Sequence, residues 1–287
     1  MIPTQDLARP ADRTSVRRLS RMTRAHWPHL AAALLVVLAL RPGASATAAT
    51  SVGPKTYYLA LGDSLAWGYQ PTAQVFQGYD IDLYEHLTGH GTLLEANLGC
   101  LGETTITFIN GGCPDAYLHK YPYSGAQLSA ALTFIRQHPG QVSPVTIDIG
   151  ANDALPLINS STCAAPSTTV FSQTLATFDS NFSSILAQLR TALQGTGDLV
   201  TMNYYFPYQI TCPSLLPDVE TFNQHLAADA QQNGVPVADV FGAFGGATEP
   251  NPNLCRYTWI CSSYHDIHAT SQGYAVIAQQ IENTLGY

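Results

Sequence analysis

The stretch Tyr57–Tyr69, YYLALGDSLAWGY, decides how the chain folds. Its first half is an apolar run that stops abruptly at Gly62-Asp63-Ser64. Strands that are buried on both faces have such near-continuous apolar runs, and they belong to parallel sheets. In these sheets, ligands bind beyond the carboxyl ends of the strands. We therefore predict that Ser64 lies at the edge of a sheet, where its hydroxyl group can meet a substrate.

Strands and helices alternate along the rest of the chain. Strands are predicted at about 55–61, 93–98, 145–149, 198–205 and 235–240. Helices are predicted at about 78–89, 124–136, 171–193, 218–232 and 271–285. This alternation is typical of a doubly wound parallel sheet. We predict one α/β domain with three layers, α/β/α, around a five-stranded parallel sheet.

The N-terminal 46 residues do not resemble a folded domain. Arginines precede a short apolar run, Leu30–Leu40, and Ala44-Ser45-Ala46 follows it. A basic segment, an apolar segment and an A-x-A site together indicate a secretory signal peptide. A membrane anchor is the alternative, although the apolar run is shorter than the ~20 residues that span a bilayer.

These features divide the chain into three parts. Residues 1–46 are predicted to be a signal peptide, with Met22 as an alternative start. Residues 47–54 are predicted to be a flexible lead-in, and residues 55–287 to be the folded domain. The mature protein is expected to be secreted.

Removal of the leader makes the chain strongly acidic. Five basic and eighteen acidic residues remain, so the net charge changes from −8 to −13. Such a surface repels nucleic acid and anionic membranes. We expect no nucleic-acid partner, no stable membrane insertion and a monomeric protein that acts on uncharged groups.

The six cysteines all lie in the predicted mature part. They are Cys100, Cys113, Cys163, Cys212, Cys255 and Cys261. An even number in an oxidising compartment indicates disulfides, although six cysteines allow 15 connectivities. Pairing in sequence order closes the smallest loops and is the connectivity we predict. The spacing of cysteine and histidine matches no zinc signature, so no metal is expected.

Three residues at predicted strand ends and a histidine before the last helix could together activate an alcohol. A serine needs a base to take its proton, and it needs donors that stabilise the oxyanion. Ser64 follows the first strand, Gly102 the second and Asn152 the third, while His268 precedes the last helix. Each motif alone is more typical of a turn or of a surface histidine. Their order and their placement at strand ends favour a catalytic site.

These motifs resemble those of the SGNH-hydrolase (GDSL esterase/lipase) family. The matching residues are Gly62-Asp63-Ser64-Leu65, Asn97-Leu98 with Gly102-Glu103-Thr104-Thr105, Gly150-Ala151-Asn152-Asp153, and His268 with Gly273-Tyr274. The resemblance implies a flavodoxin-like sheet, ester hydrolysis without a cofactor, and a catalytic domain over residues 55–287. It also implies that Ser64 is the nucleophile and His268 the general base. The Ser64 N–H, the Gly102 N–H and the Asn152 side chain would then form the oxyanion hole.

The last motif departs from the family pattern, which is usually Asp-x-x-His. His265 stands three residues before His268, and Asp266 is one residue closer. Either Asp266 accepts the Nδ1 proton of His268, or a backbone carbonyl near His265 does so in a Ser-His dyad. The orienting group fixes the tautomer and stabilises the imidazolium. Asp266 is included among the predicted catalytic residues.

An aromatic cluster after the fourth predicted strand could bind the substrate. Tyr204, Tyr205 and Phe206 stand where a substrate should lie, although they could equally be ordinary packing at a strand end. The leading hypothesis is a secreted carboxylic-ester hydrolase, an esterase or lipase, that forms an acyl-Ser64 intermediate. Its substrate would be a small-molecule, lipid or acylated-carbohydrate ester. The alternatives are a carbohydrate O-acetyl esterase or acyltransferase with the same site, and a secreted binding protein without catalysis.

Overall fold

The computed structural model describes residues 51–72 and 77–287. The predicted signal peptide and the first residues of the predicted lead-in lie outside the described residues. Residues 51–54 of the lead-in are described, and the N–H groups of Val52 and Gly53 donate to the Asp198 carboxylate at 2.9 and 2.8 Å.

A five-stranded sheet forms the centre of the described region. Its strands are β1 (Tyr57–Gly62), β2 (Leu94–Asn97), β3 (Val142–Asp148), β4 (Leu199–Met202) and β5 (Val237–Ala238). All neighbouring strands are parallel, in the order β2-β1-β3-β4-β5. This is the strand order of flavodoxin-like folds, in which β1 and β3 flank the point where the winding reverses. The predicted α/β class and five-stranded parallel sheet are confirmed.

Helices follow each strand. They are α1 (Ser64–Trp67), α2 (Tyr79–Thr88), α3 (Thr105–Asn110), α4 (Gln127–Gln137), α5 (Ala151–Ala154), α6 (Thr168–Leu193), α7 (Leu216–Gln232), α8 (Val240–Ala243), α9 (Pro252–Tyr257) and α10 (Ser271–Leu285). Helix α2 packs against α10, and α6 packs against α4 and α7. The helices therefore form the two outer layers of the predicted α/β/α arrangement. No helix of the described residues is long and apolar enough to cross a bilayer.

Burial explains why the strands are apolar. Tyr58, Leu59, Ala60 and Leu61 of β1 are fully buried, as is every residue of β3. The apolar stripe of α6 contributes Phe178, Phe182 and other residues to the same core. Each fully buried aliphatic or aromatic side chain contributes about 1.5–3 kcal/mol to folding.

Two predicted strands are shorter in the structure, and side chains explain where they end. After β4, the Tyr204 N–H donates to the Asn223 side chain at 2.9 Å instead of to a neighbouring strand. The strand predicted at 198–205 therefore stops at Met202. In β5, Pro236 precedes the strand and has no N–H to donate, and Asp239 caps α8. The strand predicted at 235–240 keeps only two residues.

Candidate active site

Ser64 is the first residue of α1 and lies directly beyond β1. Gly62 has φ 136°, and a Cβ there would lie 2.0 Å from the Asp148 carbonyl oxygen, so only glycine fits this turn. The Asp63 side chain caps α1, because its Oδ1 accepts the Leu65 N–H at 2.9 Å. Asp148 Oδ2 accepts the Ala66 N–H at 3.1 Å. The nucleophile candidate therefore stands on a short helical turn whose Leu65 and Ala66 N–H groups are capped.

His268 lies on the segment between α9 and α10 and reaches Ser64. Its Nε2 is 2.9 Å from Ser64 Oγ. Its Nδ1 is 2.7 Å from Asp266 Oδ1, which also accepts the His268 backbone N–H at 2.8 Å. The backbone N–H of Trp259 donates to the His268 carbonyl at 3.0 Å and holds the segment in place. Of the two orienting groups considered from the sequence, the structure places the Asp266 carboxylate at Nδ1 and not a backbone carbonyl near His265.

The surroundings keep Asp266 ionised. Partial burial by itself would raise the pKa of the Asp266 carboxyl, but the hydrogen bonds from His268 and the charge of its imidazolium outweigh that effect. The pKa of Asp266 therefore lies below its ordinary value. An ionised carboxylate at Nδ1 is what an imidazole needs in order to gain a proton at Nε2.

Two further carboxyl groups, those of Asp63 and Asp148, lie close together at the turn that carries Ser64. Asp63 and Asp148 are both buried, and Asp148 Oδ1 also accepts the Tyr79 hydroxyl at 2.5 Å. Burial raises the pKa of Asp148 well above its usual range, and the nearby charge of Asp63 raises it further. Burial also raises the pKa of Asp63, so both members of the pair take up a proton more readily than an exposed aspartate does. This pair was not predicted from the sequence, where Asp148 was treated only as part of a strand.

The predicted oxyanion donors lie on three segments that follow β1, β2 and β3 and reach the same cavity. Ser64, Gly102 and Asn152 all line it. As the first residue of α1, Ser64 has an N–H without an acceptor within the helix. Gly102 has φ 75°, and within the described residues its N–H donates to no group. Asn152 Nδ2 donates one hydrogen to the Glu103 carbonyl at 2.9 Å, which leaves the other hydrogen for a ligand.

The segments that carry Gly102 and Asn152 are joined by hydrogen bonds. The Asp153 carboxylate accepts the Thr105 N–H at 2.9 Å and the Thr105 hydroxyl at 2.6 Å. These contacts fix the start of α3 relative to α5. Thr105 and Asp153 are parts of the quoted motifs, but no role was predicted for them, because they are 48 residues apart and no local pattern indicates their contact.

Gln127, at the start of α4, was missed entirely. Its side chain is buried and exchanges two hydrogen bonds with Gly62, through Nε2 to the carbonyl at 2.9 Å and through Oε1 from the N–H at 2.7 Å. Nε2 also donates to the Glu103 carboxylate at 3.0 Å. Gln127 therefore connects the end of β1 to the residue after Gly102. Nothing local in the sequence indicates this, because the partners are 24 and 65 residues away.

A cavity of about 430 Å³ opens at Ser64 and His268. The predicted substrate-binding residues Tyr204, Tyr205 and Phe206 all line it, although each is largely buried. The Tyr205 ring also stacks on Phe244, with centroids 4.4 Å apart. The cluster thus forms part of the cavity wall while it packs into the protein, and its contact with substrate stays a prediction.

The six cysteines form three disulfides. They are Cys100–Cys113, Cys163–Cys212 and Cys255–Cys261, which is the sequential pairing predicted. The first lies beside Gly102 and the third spans the segment that leads to His268. Cys100 and Cys113 also lie close to the His119 imidazole. Thiolates are the metal-binding form of cysteine, and these two sulfurs are bonded to each other, so this group does not fit a metal ion.

Comparison with known proteins agrees with the fold. An acetylxylan esterase from Geobacillus stearothermophilus superposes with a TM-score of 0.55 at 15% identity, over 83% of this chain and 97% of that one. An extracellular lipase from Streptomyces rimosus also gives a TM-score of 0.55 at 15% identity, over 80% of this chain and 99% of that one. No curated protein sequence matches the chain.

The sequence itself matches a family model. The description of that model is GDSL-like lipase/acylhydrolase family, and the match covers residues 60–276, which include Ser64, Gly102, Asn152 and His268. The solved structures above are too distant in sequence to show more than the fold, whereas the family match covers most of the chain. The chain belongs to the GDSL-like lipase/acylhydrolase family, a family of ester hydrolases.

Proposed function

We propose that the protein is a secreted serine carboxylic-ester hydrolase that works through an acyl-Ser64 intermediate, with His268 as the general base. One observation carries this proposal: Ser64 Oγ, the His268 imidazole and the Asp266 carboxylate form a continuous chain of hydrogen bonds at 2.9 and 2.7 Å. In this geometry the base His268 lies within hydrogen-bond reach of the nucleophile Ser64 and is oriented by Asp266, which is the arrangement that activates a serine.

In the first half of the reaction, Ser64 Oγ attacks the ester carbonyl carbon and its proton passes to His268 Nε2. The carbonyl oxygen becomes an oxyanion, which the Ser64 N–H, the Gly102 N–H and the Asn152 amide stabilise. When the tetrahedral intermediate collapses, the bond to the alcohol oxygen breaks and His268 gives its proton to the leaving alkoxide. The products are the free alcohol and acyl-Ser64.

In the second half, water takes the place of the alcohol. His268 Nε2 removes a proton from the water as the hydroxide oxygen attacks the acyl carbon. Collapse of the second intermediate breaks the bond to Ser64 Oγ, which regains its proton from His268. Asp266 stays ionised throughout and stabilises the imidazolium in both halves. None of these steps requires a cofactor.

Export is part of the proposal. The basic and apolar leader supports it, as do six cysteines that form three disulfides. Disulfides persist in oxidising compartments and are rare in the cytosol.

A panel of p-nitrophenyl esters tests the catalytic proposal. Wild-type protein is expected to release p-nitrophenol, whereas Ser64→Ala and His268→Ala should be reduced to background. Hydrolysis by Ser64→Ala at the wild-type rate would contradict the proposal. Failure of the wild-type protein to hydrolyse any ester, or to react with a fluorophosphonate, would instead favour a binding protein without catalysis.

A further inference from the structure

The three oxyanion donors lie on separate chain segments, yet two buried side chains, those of Glu103 and Gln127, connect all of them. Ser64, Gly102 and Asn152 follow β1, β2 and β3 in turn. Glu103 and Gln127 are each only 1% exposed, and neither is among the described residues that line the cavity. Substrate therefore contacts neither side chain, and any effect that they have on catalysis must pass through the residues that they hold.

Gly102 lies in a turn that is tied to Gly62 at both ends. The turn is closed by the Glu103 N–H, which donates to the Cys100 carbonyl at 3.2 Å. At its start, the Cys100 N–H donates to the Gly62 carbonyl at 3.1 Å. At its end, the Glu103 carboxyl group accepts a hydrogen bond from Gln127 Nε2 at 3.0 Å, and the same nitrogen donates to the Gly62 carbonyl at 2.9 Å. The position of the turn is therefore set relative to the end of β1, just before the nucleophile.

Glu103 also orients the third donor. Its backbone carbonyl accepts one hydrogen of Asn152 Nδ2 at 2.9 Å. The two hydrogens of a side-chain amide lie in one plane, so the acceptor of the first sets the direction of the second. Glu103 thus holds two of the three donors, Gly102 through the turn and Asn152 through the carbonyl.

The hydrogen bond between Glu103 and Gln127 does not need a charge. Gln127 Oε1 accepts the Gly62 N–H at 2.7 Å, which fixes the amide so that Nε2 faces the carboxyl group. Burial raises the pKa of Glu103 and favours its protonated form. An uncharged side chain suits a position next to Gly102, because a negative charge there would repel an oxyanion. A glutamine should therefore serve at position 103 as well as the glutamate does.

We propose that Glu103 and Gln127 are positioning residues of the oxyanion hole, and that the hydrogen bond between their side chains holds the Gly102 N–H and the Asn152 amide in place relative to Ser64. The inference rests on the proposed function, since it concerns the transition state of the same reaction. Donors stabilise an oxyanion when they are already in place, and a misplacement of about 1 Å can cost about 10²-fold in rate. Removal of one donor costs about 10²–10³-fold, so misplacement of two donors should cost about 10- to 10²-fold.

Two substitutions of Glu103 separate its hydrogen-bond acceptor from its bulk. Glu103→Gln keeps an oxygen that can accept from Gln127, and kcat for the best p-nitrophenyl ester should stay within about threefold of wild type. Glu103→Met is similar in length but has no such oxygen, so kcat should fall about 10- to 10²-fold while KM changes less than about threefold. Gln127→Leu removes the other partner and should give the same loss, so the test stands even where Glu103→Met fails to fold. Wild-type kcat in folded Glu103→Met or Gln127→Leu would overturn the proposal, and so would an equal loss in Glu103→Gln.

Gln209 provides a matched control, because it is also a buried glutamine that joins two segments. Its Nε2 donates to the Thr248 carbonyl at 3.0 Å, and its Oε1 accepts Asn251 Nδ2 at 3.1 Å, so it holds no oxyanion donor. Gln209→Leu should lower the Tm, as Gln127→Leu does, but kcat should stay within about twofold of wild type. An equal loss of kcat in the two variants would show a general effect of destabilisation and overturn the positioning role.

A double-mutant cycle with Asn152→Ala tests the route of the effect. Without the Asn152 amide, Glu103 has one donor fewer to position. Glu103→Met should therefore cost at least threefold less in kcat in the Asn152→Ala protein than in the wild-type protein. Losses that multiply in full would show that Glu103 acts independently of Asn152 and would overturn the proposal. Absence of wild-type turnover on every ester would refute the proposed function, whereas turnover that Glu103→Met and Gln127→Leu leave unchanged refutes only this inference.

Discussion

The role of Asp266 can be divided into charge and orientation by two substitutions. Asp266→Asn removes the negative charge but keeps an oxygen in the same place. The His268 backbone N–H and Nδ1 both contact Asp266 Oδ1, at 2.8 and 2.7 Å, so an amide oxygen can accept the same two hydrogen bonds. Asp266→Ala removes both the charge and the two hydrogen bonds.

The expected losses follow from these contacts. Opposite unit charges about 4 Å apart attract by about 4 kcal/mol at an effective dielectric constant of about 20. The side chains of His268 and Asp266 are 17% and 21% exposed, so solvent screening reduces that value, and we take about half of it. About 2 kcal/mol corresponds to a loss of about 30-fold in kcat/KM for Asp266→Asn. In Asp266→Ala the His268 imidazole also loses the hydrogen bonds that orient it, so kcat/KM should fall about 10³-fold in total.

The assay measures kcat/KM of each protein for one p-nitrophenyl ester. His268→Ala is the reference for complete loss of the base. We expect the activities to fall in the order wild type, Asp266→Asn, Asp266→Ala, His268→Ala. Thermal unfolding of each variant shows whether a lost activity reflects a lost fold. Wild-type activity in folded Asp266→Ala would refute the reasoning and support a Ser-His dyad. A greater loss in Asp266→Asn than in Asp266→Ala would show that the amide does not keep the orientation.

Three further predictions concern Glu95 in β2, the Gln127 side chain and the oxyanion hole. Burial and the charge of Asp80 raise the pKa of Glu95 to about 9. The protonated Glu95 side chain therefore stabilises the fold fully below about pH 4.5, and this stabilisation is lost as the pH rises towards 9. Glu95→Gln should flatten the fall in Tm between pH 5 and 9. Gln127→Leu leaves the Gly62 N–H unpaired, at a cost of about 1–3 kcal/mol, whereas the Gly62 carbonyl keeps the Cys100 N–H; a Tm within 1 °C of wild type would contradict the hydrogen bonds described. Asn152→Ala should lower kcat about 10²–10³-fold in steady-state assays while the fold is retained, and an unchanged kcat would exclude Asn152 from the oxyanion hole.

The fold and the separate parts of the site could be predicted because their signals are local. An apolar run such as residues 57–61 marks a buried strand, and the residues that follow a parallel strand meet at one edge of the sheet. The order of the motifs around Ser64, Gly102 and Asn152 therefore indicates one catalytic site, which in the structure is the cavity at Ser64 and His268. The structure places all three at that cavity.

What could not be predicted depends on contacts between distant segments. The hydrogen bonds of Gln127 with Gly62, and the sharing of a buried site by Asp63 and Asp148, follow from how the chain packs and leave no local pattern. The end of β4 was misplaced for a related reason, since the side chain of Asn223 replaces a strand partner.

The central claim is that Ser64 forms a covalent acyl intermediate, and labelling with a fluorophosphonate tests it most directly. Intact-mass spectrometry of the labelled wild-type protein should show one adduct per chain, and peptide mapping should place it on Ser64. Ser64→Ala should take up no label, while Asp266→Asn should label more slowly but at the same residue. An adduct on another residue, or undiminished labelling and ester hydrolysis by Ser64→Ala, would contradict the account.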